Sequence, residues 1–164
     1  MRLADIEAQS AQATDAPSGI LVKSYTSVGI LRSLGSIEVE AREMVNLDAK
    51  RVDHFIVVTV SENGDYARTG ATVIREENLG ALVEGIERLT KATIDRKRFA
   101  FTEIELGVDD LKIVVFNTKK PDNMAAISAD GVTVHLDQVW RLNEFKDLVI
   151  KAKKVIDDNR PMRA

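Results

Sequence analysis

RVDHFIVVTVSENGDYARTGATVI, residues 51–74, decides how this chain folds. Phe55 to Val60 is apolar at nearly every position, so a strand there is covered on both faces and belongs inside a sheet. Asn63-Gly64 tolerates positive φ, which predicts a tight hairpin and an antiparallel return through DYARTGATVI, a meander and not a crossover. His54 shares a side with Ile56 and Val58 and reads as a packed or edge histidine. Asp53 points to the opposite face and does not orient it.

Upstream, GSIEVEAREMV sets Ile37, Val39 and Ala41 against Glu38, Glu40 and Arg42, the alternation of a sheet with one wet side. GILVKSYTSVGILRSLG reads as one strand or as two short ones around Gly29. Its hydroxyl-rich run, Ser24, Tyr25, Thr26 and Ser27, is accounted for by strand and turn composition. Downstream the period changes, and Leu79, Leu82, Val83, Ile86 and Leu89 follow helical spacing.

The second half repeats the scheme. RFAFTEIEL, LKIVVFN, NMAAIS and VTVHL predict four short strands, with Phe99 and Phe101 as core residues of the first and Asp130-Gly131 as a hairpin pair. A last helix carries Trp140, Phe145, Leu148, Val149, Ala152, Val155 and Ile156, with Trp140 and Phe145 expected to anchor it. The fold class is α+β: two antiparallel four-stranded meanders, each followed by an amphipathic helix. Residues 18–157 are expected to form a single domain between a flexible N-terminal segment, 1–17, and a flexible tail, 158–164. In the former, Leu3 and Ile6 would share one side of a short helix.

The chain has 164 residues, 45% of them hydrophobic and 30% charged, with no cysteine and a net charge of −3. Without cysteine there is no disulfide framework, thiol nucleophile or thiolate metal site. The acidic total argues against a globally basic nucleic-acid binder and leaves room for a local patch. Absence of a long apolar run points to a soluble, cytoplasmic protein with no membrane partner. His54 and His135 stand alone, and Asp109-Asp110 and Asp157-Asp158 lack the ligand spacing of a calcium loop; they read as a turn and a frayed helix end. Phosphate-binding glycine loops and nucleophile elbows are missing as well. No catalytic residue, metal site or cofactor is predicted. The expected function is a non-enzymatic binding or self-association module, its partner another protein or a second copy.

RLTKATIDRKRFAF, residues 88–101, holds five cations: Arg88, Lys91, Arg96, Lys97 and Arg98. Glu84 and Glu87 precede Arg88 and Lys91 by four residues and are expected to pair with them. The other three suit the negative end of a helix. The alternative is that all five form a contact strip for single-stranded nucleic acid.

The order of elements over residues 18–157 resembles the Whirly-type single-stranded nucleic-acid-binding fold, in topology and not in motif. TVIREENLGALVEGIERL with FAFTEIEL and LKIVVFN is also similar to small uncharacterised bacterial α+β proteins. The first resemblance implies two sheets that present a surface to a nucleic-acid strand; the second implies no activity.

Overall fold

A computed structural model of the protein describes residues 19–160. The N-terminal helix expected around Leu3 and Ile6 lies outside the described residues. The first antiparallel sheet runs β1 (Leu21–Arg32), β2 (Gly35–Asn46), β3 (Arg51–Glu62), β4 (Thr69–Arg75) in spatial order, followed by helix α1 (Leu79–Lys91). The second runs β5 (Glu103–Val108), β6 (Leu111–Phe116), β7 (Met124–Ala129), β8 (Val132–Leu136), followed by α2 (Leu142–Asp158). A short 3-10 turn leads into each helix. The fold is α+β, with two four-stranded meanders.

β1 is one strand with a bulge, not two strands. Ser27 pairs with Glu40 and Gly29 with Val39, leaving Val28 as the extra residue. The bulge changes the phase of the alternation, so Ser24 and Thr26 share a face with Leu31. That phase change is why the sequence left two readings open.

Asn63-Gly64 does not make a two-residue hairpin. The connection spans Asn63 to Arg68; Gly64 has φ of 109°, and the Glu62 amide donates to the Arg68 carbonyl at 2.9 Å. The strands instead pair Ile56 with Ile74 and Val57 with Val73. A turn at 63–64 would shift that register by an odd number of residues and move Ile74 to the other face. Burial of the apolar set outweighs the turn preference. Asp130-Gly131, by contrast, is a two-residue turn with φ of 50° and 76°.

The two sheets turn apolar faces towards each other and, with both helices, enclose one core. α2, from the second half, lies across β1, β2 and β3, while α1, from the first half, packs on β5. The helices also touch each other. Phe145 is fully buried among these layers, with Leu142, Val149, Ala152 and Ile156 on the same stripe. Trp140 is not an anchor: it sits in the turn before α2, out of phase with the stripe, and is 55% exposed. Phe55 and Val57 are buried too, within a smaller apolar cluster on the opposite face of the first sheet, so β3 is covered on both sides.

Close approach between the sheets depends on Gly70. A Cβ there would lie 2.3 Å from the Ala129 carbonyl oxygen, so only glycine lets β4 reach the β7–β8 hairpin. Polar latches reinforce the contact. The Asp109 carboxylate accepts from the Arg75 amide and the Asn78 side chain, both at 3.0 Å. Asp137 accepts from the Ser33 hydroxyl and from Arg141, and Arg141 also donates to the Arg32 carbonyl at 2.6 Å. The bond from Arg141, then that from Ser33, holds the Asp137 carboxyl below the usual aspartate range. No helix among the described residues is long and apolar enough to cross a membrane.

Phe145→Ala should cost about 3–5 kcal/mol and Trp140→Ala less than about 1 kcal/mol in denaturant unfolding. Equal effects would contradict the docking of α2.

Asp137, with its folded-state value depressed, adds stability that is present above the ordinary aspartate range and lost as pH falls through it. Asp137→Asn should therefore lose less stability than the unmodified protein between about pH 5 and about pH 3, measured by chemical unfolding across that range.

Candidate functional site

The basic strip divides into two roles. α1 ends at Lys91, where Ala92 turns extended and its amide donates back to Leu89. Arg88 and Lys91 are exposed on that last turn. The acidic partners expected for them are not engaged, since Glu87 instead faces Lys146 of α2 at 3.7 Å. Among the described residues no ion pair joins Glu84 or Glu87 to Arg88 or Lys91.

Beyond α1, Ala92–Thr102 is a loop, and the strand expected from Arg98 begins only at Glu103. The reason is Asn117, which is buried at the end of β6. Its side-chain amide donates to the Ala100 carbonyl at 2.8 Å, and its oxygen accepts from the Thr102 amide at 2.7 Å. A side chain thus holds this backbone where a ladder would otherwise run. Arg96 clamps the other end, donating to the carbonyls of Thr118, Lys120 and Pro121 and to the Asn123 side chain at 2.8–3.3 Å. Arg96 is therefore a structural residue, with both terminal guanidinium nitrogens already committed.

Between the clamps, Phe99 and Phe101 project outwards, 66% and 61% exposed, and are not the core residues their alternation suggested. The Arg98 guanidinium lies over the Phe99 ring at 5.7 Å. Lys97 and Arg98, like Arg88 and Lys91, are exposed and make no ion pair among the described residues. The bonds from Arg96 also bring the Thr118–Asn123 turn alongside, adding exposed Lys119 and Lys120. Sequence reading passed over these two lysines; their only signal was the basic pair inside TKKPD.

A second polar constellation lies at the far end of the first sheet. Ser24, Glu43 and His54 stand side by side on β1, β2 and β3. The His54 side chain is 7% exposed, with Nε2 2.8 Å from Glu43 and Nδ1 3.7 Å from Glu76, so it is a packed histidine. Val155, Ile156 and Asn159, at the end of α2, form the opposite wall of a cleft of about 250 Å³ whose other lining includes Ser24 and Thr26. Glu43 lies between Ser24 and His54, which are two strand spacings apart, about 9–10 Å. No nucleophile–base contact exists there.

His135 faces solvent on the other sheet, edge-on to Phe116 at 5.9 Å. Asp109 is a latch, as described above. Asp157 accepts from Lys153 at 2.7 Å and from Arg160 at 2.9 Å, so this helix end is tied down and not frayed. Among the described residues no three histidine, aspartate or glutamate side chains are grouped to hold a metal ion.

No protein-family model matches the chain, and no curated protein is significantly similar to it in sequence.

Arg96→Ala should lower stability by about 1–2 kcal/mol and accelerate amide exchange in 92–102, because it frees both the loop and the Thr118–Asn123 turn. Arg98→Ala, which breaks no backbone tie, should leave both measurements nearly unchanged.

Proposed function

We propose that the protein is a non-enzymatic binding module that presents the clamped loop Ala92–Thr102 to a protein partner or a second copy of itself. The observation that carries this reading is the outward projection of Phe99 and Phe101 from a backbone fixed on both sides. The chain has only five phenylalanines, and two of them are spent on solvent. Rigid aromatic side chains beside an arginine make strong contact points, because little conformational freedom is lost on binding.

A second reading is single-stranded nucleic-acid binding. It is favoured by the cations that frame the two rings: Arg88, Lys91, Lys97 and Arg98, joined by Lys119 and Lys120. Aromatic platforms stack bases while cations neutralise phosphates, and the likeness in topology to Whirly-type proteins points the same way. Arg96 would serve this surface by holding the loop, not by touching a phosphate.

Fluorescence anisotropy with single-stranded DNA and RNA oligonucleotides, paired with light scattering, separates the two. The binding-module reading expects Phe99→Ala/Phe101→Ala to abolish self-association or partner capture with no oligonucleotide binding. The nucleic-acid reading expects oligonucleotide affinity that falls steeply with salt, and weakens by about 1–3 kcal/mol for each ring removed. A protein indifferent to the double substitution in every assay would overturn both.

A further inference from the structure

We infer that the cleft between the far end of the first sheet and the end of α2 is a ligand site for a compact organic cation, a primary ammonium compound with a hydroxyl close to the charge. The inference is independent of the loop and its partner.

Charge is the first ground. Glu76 and Asp157 each meet Lys153 and Arg160, whereas Glu43 has neither a lysine nor an arginine within 4.0 Å among the described residues. Among the described residues its one hydrogen-bond partner is His54. Among the described residues, Glu43 is the carboxylate of the lining that no lysine or arginine meets. Hydrogen-bonding capacity is the second. Ser24 and Thr26 line the cleft, are exposed, and make no side-chain hydrogen bond among the described residues. Asn159 donates its side-chain amide to the Val155 carbonyl and keeps its oxygen as an acceptor.

The opposite wall is the C-terminal end of a helix, whose carbonyls and dipole favour positive charge. An anion is poorly served. Arg42, the one arginine of the lining, is buried, bonded to Glu40 at 2.8 Å and set over the Tyr25 ring. A hard metal ion is poorly served too, since it needs six or more oxygens and the lining offers one carboxylate among the described residues. At about 250 Å³ the cleft is smaller than most drug-sized sites, which suits a compact ligand. Ala41, Val155 and Ile156 back it with hydrocarbon.

His54 borders the site. It faces Glu43 from β2, Glu76 from the turn before α1, and Arg160 from beyond α2.

The test is a nitrogen-15 NMR titration of the full chain with ethanolamine, with ethylene glycol and glycolate as the uncharged and anionic counterparts. Ethanolamine should shift the Ser24, Thr26, Glu43 and His54 amides saturably, while the two counterparts give no saturable shift. Glu43→Gln should weaken ethanolamine at least about tenfold, the loss of one charged hydrogen bond. Should that variant fail to fold, Ser24→Ala/Thr26→Val, which alters exposed positions only, should weaken it severalfold. No saturation by ethanolamine, an equal response to glycolate, or unchanged affinity in the variants would overturn the assignment.

Discussion

Each sheet keeps its apolar face dry with a helix supplied by the other half of the chain. α2 closes the first sheet and α1 packs on the second, so neither meander encloses its own core. This exchange sets the remaining requirements. The sheets must approach closely, which Gly70 allows, and the halves must keep their register, which Asp109, Asp137 and Arg141 fix through bonds to backbone and side chains across the interface.

The polar cleft is a product of the same arrangement. α2 has 17 residues, a span of about 25 Å, whereas β1, β2 and β3 each have 12 residues, a span of about 40 Å. One helix cannot cover the full length of those strands. Its last turn stops beside the row of Ser24, Glu43 and His54; one step further out on the same face stand Val22, Val45 and Val52, of which Val22 and Val52 are exposed.

Much of this fold is written in local patterns. The continuous apolar run of β3, the helical stripe of α1 and the Asp130-Gly131 turn each specify their own element, because short-range periodicity and turn chemistry suffice for them. What failed depended on distant partners. Asn63-Gly64 has turn chemistry, but the pairing of Ile56 with Ile74 imposes a longer connection. Phe99 and Phe101 alternate like strand residues, but the Asn117 side chain takes the neighbouring backbone groups of Ala100 and Thr102. Trp140 is aromatic and adjacent to a helix, yet its phase is set by a 3-10 turn. The candidate sites were legible in pieces: four cations of the strip are exposed as a binding role requires, whereas the structural duty of Arg96 and the arrival of Lys119 and Lys120 depend on a tertiary contact. The hydroxyls of β1 gave no sign of Glu43 and His54, since cross-strand neighbours are far apart in sequence.

Because the helices are exchanged, the two halves are joined in two unlike ways: by one covalent thread, Ala92–Thr102, and by an extensive buried interface. The thread contributes proximity and little of the packing. Severed anywhere between its clamps, the chain would become a heterodimer of two fragments, each completing the other's hydrophobic layer, and its stability would acquire a dependence on concentration that the intact polypeptide lacks.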